Sequence, residues 1–183
     1  GIALSIFVGA YALVQYPGGE YSDRWNRTTL IVPGLVVLAV GFALFGLATG
    51  LATFLVAATV VGVGKGLFAI PSRALLSDLF TERRGRALGI YAAGTDLGGL
   101  LSSGIAVLAL TYASWRTPFF PVAVALAVIT LVYAALTREG YHVGSPTLEL
   151  RSTVGRLVQS SQQRETLVAF SLFYFMVGGF INF

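Results

Sequence analysis

The sequence predicts an all-α membrane protein, a polytopic bundle of helices that cross a lipid bilayer, and three observations carry that reading. Of 183 residues, 56% are hydrophobic and only 11% charged, with a mean hydropathy of +0.80. A soluble domain carries roughly a quarter charged residues because its surface faces water. The apolar residues gather in runs long enough to cross about 30 Å of hydrocarbon, which takes roughly 20 helical residues. The basic residues sit in alternate connections between those runs, an asymmetry that orients membrane helices. Lipid excludes open strands, because backbone groups without hydrogen-bond partners are too costly there. Each apolar run is therefore read as a helix.

The runs fall at about 1–16, 29–49, 52–72, 86–110, 118–136 and 167–183, four complete spans with a partial one at each end. The connection at 17–28 contains Arg24 and Arg27, and that at 73–86 contains Arg73, Arg83, Arg84 and Arg86. The segment 137–166 contains Arg138, Arg151, Arg156 and Arg164, so these three hold ten of the twelve basic residues. The intervening connections, near Thr49–Leu51 and Thr111–Pro118, hold only Arg116. The positive-inside rule makes the three basic segments cytoplasmic. A multi-pass protein of the cell membrane follows, with the lipid bilayer as its first partner. The net charge of +4 then reflects orientation, and no nucleic acid partner is expected.

Residues 137–166 are polar and contain Gly140, Gly144 and Pro146, which marks a linker between a bundle at 1–136 and the start of a second at 167–183. Leu150, Val154, Leu157 and Val158 are spaced either for an amphipathic helix on the membrane surface or within an irregular solvated loop. Glycine occurs 22 times, mostly within the spans. In lipid such small residues let helix backbones approach closely, and Gly62, Gly64, Gly66, Gly94 and Gly98 are the candidate packing positions.

The chemistry of enzymes is poorly represented. With no cysteine and a single histidine, His142, the chain offers no thiolate, no metal cluster and no cofactor set, and it is not read as an enzyme. A channel would favour a pore-lining ring or filter sequence, which is not visible. An ion channel or a non-transporting membrane scaffold stays as the alternative to a transporter. Lys65 and Asp96 are the only charges well inside the predicted spans. At 1.5 Å per residue they lie roughly 12 and 15 Å from the same basic side. Unpaired charge at mid-bilayer costs at least about 2.5–3.5 kcal/mol. Either these residues face a cavity and handle a proton or a charged substrate group, or they pair with each other, or Lys65 snorkels to the interface.

The most specific feature is Gly18-Gly19-Glu20-Tyr21-Ser22-Asp23-Arg24-Trp25-Asn26-Arg27, set between two apolar runs. Gly19, Asp23, Arg24 and Arg27 match the Gly-x-x-x-Asp-Arg-x-Gly-Arg-Arg/Lys signature of the major facilitator superfamily, which the chain resembles there. Asn26 stands where that signature has glycine, and Thr28 where it has a second basic residue. The run Gly62-x-Gly64-x-Gly66 with Pro71, Asp78, Phe80, Glu82, Arg84, Gly85, Ala87 and Gly89 is similar to the family's fourth helix, cytoplasmic turn and fifth helix. Ser114-Trp115-Arg116-x-x-Phe119 is similar to the beginning of its sixth. Ala58 stands where the family's fourth helix often has a basic residue, which appears instead at Lys65 two turns later, and Gly98-x-x-x-Ser102-Ser103 lacks the proline of the antiporter fifth helix.

The resemblance implies part of a two-bundle transporter fold, the chain covering the second to seventh helices without the first. It implies transport of a small-molecule substrate by alternating access, with an ion or solute gradient, a proton for example, as driving force. It also implies that Gly19, Asp23, Arg24 and Arg27, joined by Arg73, latch one state of that cycle. The other reading of these residues is a solvated turn with a surface ion pair worth about 0–1 kcal/mol and an interfacial anchor at Arg73.

Overall fold

A computed structural model describes residues 1–25, 27–112, 114–136, 165–166 and 168–173. The chain divides into two compact units, Gly1–Pro146 and Thr147–Phe183. In the second, residues 165–166 and 168–173 are helical. Among the described residues the first contains five helices: α1 (Ile2–Arg24), α2 (Arg27–Leu47), α3 (Leu51–Leu79), α4 (Arg84–Tyr112) and α5 (Phe119–Leu136). All five are long and apolar enough to cross a membrane. The linker and surface helix expected at 137–166 lie almost wholly outside the described residues.

Two boundaries differ from expectation. Pro17, Gly18 and Gly19 read as a break, yet α1 continues through them to Arg24. Packing overrides propensity here. A methyl group added to Gly18 would lie 3.3 Å from the Gly66 carbonyl oxygen, and one on Gly19 3.7 Å from Ile70. These glycines are where α1 lies close against α3. The connection expected at 73–86 also shrinks to four residues, because α3 runs on past Pro71 to Leu79. Pro71 cannot donate a backbone hydrogen bond, but it is fully buried, and the Ser72 hydroxyl donates to the Phe68 carbonyl at 2.7 Å just before it. At 1.5 Å per residue the 29 residues of α3 extend roughly 43 Å, so the helix outruns the hydrocarbon layer.

α3 is the central element, packed on α1 along one side and on α2 along another, while α5 packs on α2. The glycine spacing explains how. Positions two apart on a helix point about 200° apart, whereas positions four apart share a face. Gly62 and Gly66 accordingly meet α1, where added methyls would lie 2.5 Å from the Phe7 carbonyl oxygen and 2.7 Å from Val14 Cβ. Gly64, between them, meets α2, with Leu38 N 2.7 Å from the same construction. From α2, Gly34 and Gly41 return the contact against Phe68 and Val61. The core is built of small and medium residues such as Ala57, Ala58, Val61 and Leu35.

The outer faces are the reverse of a soluble protein's: Leu13, Leu100 and Leu136 are each more than 70% exposed. So broad an apolar surface calls for lipid. α4 is the least covered, with no buried residue in its span. Gly94 and Gly98 have no heavy atom within 4 Å of an added methyl. Their expected packing role is therefore not seen among the described residues, because α4 touches the bundle only lightly through α3.

Candidate functional site

The two ends of the bundle differ in chemistry. At one, Phe42, Phe45, Phe54, Trp115 and Phe119 form a connected aromatic cluster, with Phe45 4.8 Å from Phe54 and 5.1 Å from Phe119 between ring centroids. Phe54 meets Trp115 edge-on at 5.8 Å, and the Arg116 guanidinium lies 5.0 Å over the Trp115 ring. This cluster closes the connections α2–α3 and α4–α5. The opposite end carries the basic connections.

At the basic end one side chain ties three helices. Arg27, at the start of α2, donates from Nη1 to Ser22 Oγ of α1 at 2.8 Å. It also donates from Nε to Asp78 Oδ2 of α3 at 3.2 Å, as an ion pair. The guanidinium fork suits this task, since its donors diverge in one plane. Ser22 is 1% exposed, but Asp78 is 56% exposed on its side chain. Solvent therefore screens the ion pair to about 0–1 kcal/mol. Thr28, where a second basic residue was expected from the signature, is buried.

Gly19, Asp23 and Arg24 stand on the last turns of α1 beside this tie, and Asn26 lies outside the described residues. Arg73 is on α3, two turns from the helix end, with its guanidinium 5.7 Å from the Tyr91 ring of α4. It bridges α3 to α4 rather than reaching the Arg27 pair.

Lys65 does not meet Asp96. Its ammonium lies 5.2 Å from the ring centroids of both Phe7 and Tyr11, residues one turn apart on α1 whose rings stack 6.4 Å apart. Each ring face attracts the cation by about 0.5–1 kcal/mol at an exposed site. The side chain remains exposed, as does Asp96 on α4, which makes no ion pair or hydrogen bond among the described residues. Ala58, the other fourth-helix position considered, is 2% exposed and has no space for a long basic side chain.

Ser22 and Asp78 as partners of Arg27, and Phe7 and Tyr11 as the seat of Lys65, were not expected from sequence. Asp78 had one usable signal, as a carboxylate between the basic positions Arg73 and Arg83. Phe7 and Tyr11 had another, an aromatic pair at helical spacing. No group of three or more potential metal ligands occurs among the described residues.

Long apolar helices and a lipid-type surface, with Lys65 and Asp96 the exposed charges well inside the spans among the described residues, define a multi-pass helical membrane protein. The chain belongs to the Major Facilitator Superfamily, whose family model matches residues 1–183. It is 27% identical to a hexuronate transporter of Bacillus subtilis over 137 residues, 74% of this chain and 32% of that protein. It is 27% identical to a probable sulfoacetate transporter of Cupriavidus necator over 140 residues, 76% of this chain and 33% of that protein. A crystal structure of the peptide transporter POT superposes with a TM-score of 0.64 at 18% identity, over 97% of this chain and 38% of that one. The likeness to POT shows the fold. The chain spans about a third of the length of these curated relatives.

Proposed function

We propose that the chain forms part of a secondary transporter that moves a small solute across the cell membrane by alternating access, driven by an ion or solute gradient. The transport class is supported by family membership together with the transporters it resembles. The finer mechanism is our reading, and the observation that carries it is the Arg27 tie between α1, α2 and α3. A cycle between two arrangements needs contacts that hold one and then yield. A half-exposed ion pair of about 0–1 kcal/mol biases a two-state equilibrium up to about fivefold and is still readily broken. Gly19, Asp23, Arg24 and Arg27 form this latch, Asp78 is its acceptor, and Arg73 steadies the neighbouring α3–α4 contact.

In this reading the basic end faces the cytoplasm. Residues 1–136 contribute the second to sixth helices of the amino-terminal bundle, 137–166 the central linker and 167–183 the start of the carboxy-terminal bundle. Lys65, seated against aromatic rings yet exposed, is the coupling or substrate-facing cation, and Asp96 is the intramembrane carboxylate available to a coupling proton.

The test is uptake by energised proteoliposomes of the complete protein that carries this chain, screened over small anions, sugars and amphipathic cations with and without a proton gradient. Gradient-driven accumulation that is lost in Asp23→Ala and Lys65→Ala is the expected result. Gradient-independent leak, or uptake unaffected by both substitutions, overturns the coupled-transport reading.

A further inference from the structure

The turn between α3 and α4 leaves a feature that transport does not explain. α3 ends at Leu79 and α4 begins at Arg84, so the two helices diverge from a link of four residues tightened by an Arg83 N–H donation to the Phe80 carbonyl at 3.2 Å. Between them lies a cavity of about 430 Å³ lined by Leu76, Phe80, Arg83, Arg86, Ala87 and Ile90. That volume falls in the range of small-molecule sites, about 300–1,000 Å³. Its composition is divided: four apolar side chains and two guanidinium groups. The apolar walls open outward, with Ile90 67% and Phe80 49% exposed. Both helices are apolar spans, so the groove sits where they leave the hydrocarbon, at the depth of lipid headgroups.

Among the described residues no ion pair engages the local positive charge. Arg83, Arg84 and Arg86 crowd the beginning of α4, and no acidic residue stands in its first turn. A helix N-terminus already carries the positive end of the backbone dipole, so these cations oppose it. Of the carboxylates nearby, Asp78 is engaged by Arg27 and Glu82 is exposed in the link. Arg73 rests on Tyr91. An anion placed between Arg83 and Arg86 relieves this repulsion and accepts from two guanidinium groups.

We propose that this groove binds one anionic phospholipid, its phosphate held by Arg83 and Arg86 and its acyl chain laid against Leu76, Phe80 and Ile90. A soluble phosphate satisfies only the arginines and leaves the walls in water; a phospholipid satisfies both halves. Basic pockets between membrane helices at the interface take anionic headgroups by this chemistry. The site does not depend on the transport cycle and is tested without it.

The experiment is native mass spectrometry of the complete protein that carries this chain, released from detergent, with phosphatidylglycerol and phosphatidylcholine in equal amounts. The expected result is one retained phosphatidylglycerol, favoured over phosphatidylcholine by roughly tenfold or more. Arg83→Gln with Arg86→Gln should remove that preference, Ile90→Asn should weaken retention of both lipids, and Arg116→Gln at the far end should change neither. Circular dichroism confirms that each variant keeps its helices. Unchanged preference in the double arginine variant overturns the site. So does an equal loss in Arg116→Gln, which would mean diffuse charge attraction. Displacement of the lipid by millimolar inorganic phosphate would assign the arginines to a free anion instead.

Discussion

The glycine on the α1 side of α3 gives the most exacting test of the packing. In Gly62→Ala the new methyl would lie 2.5 Å from the Phe7 carbonyl oxygen and 3.0 Å from Ala10 Cβ. The first is backbone in a regular helix, so no side-chain rotation clears it. Reaching ordinary contact at 3.4 Å requires α1 and α3 to part locally by about 0.9 Å. That displacement loosens the neighbouring contacts at Gly66 and Gly18, since dispersion falls steeply with a gap of this size. Overpacking of this kind costs about 1–3 kcal/mol. Replacing a helical glycine by alanine returns about 0.5–1 kcal/mol, leaving a net loss of about 1–2 kcal/mol. Gly98→Ala is the internal control, because nothing lies within 4 Å of its added methyl and only the favourable propensity term of about 0.5–1 kcal/mol remains. Thermal unfolding of the complete protein that carries this chain, in detergent and followed by circular dichroism, should show a lower midpoint for Gly62→Ala and an equal or higher one for Gly98→Ala. Equal midpoints for the two variants, or the reverse order, would refute the close approach of α1 and α3.

Three further substitutions probe the ends of the bundle. Ser22→Ala removes the buried acceptor of Arg27 and should cost about 1 kcal/mol, more than Asp78→Asn, whose partner is lost from a half-exposed site worth about 0–1 kcal/mol; graded denaturant unfolding in detergent ranks them, and the opposite ranking would move the weight of the tie onto the ion pair. Phe119→Ala removes the ring that meets Phe42, Phe45 and Trp115. At about 0.5–1.5 kcal/mol per aromatic pair, it should destabilise the α2–α5 contact by about 2 kcal/mol and shift Trp115 emission to the red, whereas an unchanged melt and spectrum would show the cluster to be incidental.

The membrane fold was legible because its signal is gross. Long uncharged runs and arginines in alternate connections survive any error at a boundary. Pro17-Gly18-Gly19 misled because the same residues that break a helix in water are those that let two helices touch in a membrane, and one sequence does not say which role applies. Arg73 and Asp78 were placed in a connection because polar residues suggest one, whereas α3 carries them on its last turns as it leaves the apolar layer. The signature residues drew attention to the basic end, but the partners of Arg27 could not be read. Ser22 is five residues away on another helix, and Asp78 is 51 residues distant. Lys65 was recognisable as anomalous from its surroundings. Its aromatic seat depends on the facing of α1 against α3, which a lone sequence leaves open.

The glycines on two sides of α3 also decide where this chain has freedom to vary. α1, α3 and α2 lie together like planks planed to fit, and any side chain that grows at Gly62, Gly64 or Gly66 must push a neighbouring backbone aside. α4 is under no such restriction: its glycines face open space, and its exposed positions accept larger or smaller side chains with little consequence for the three-helix slab. Inherited change should therefore be purged from the glycines of α3 and collect on α4 at positions other than Arg86, Ile90 and Asp96, so that one helix keeps the architecture while much of its neighbour is left to experiment.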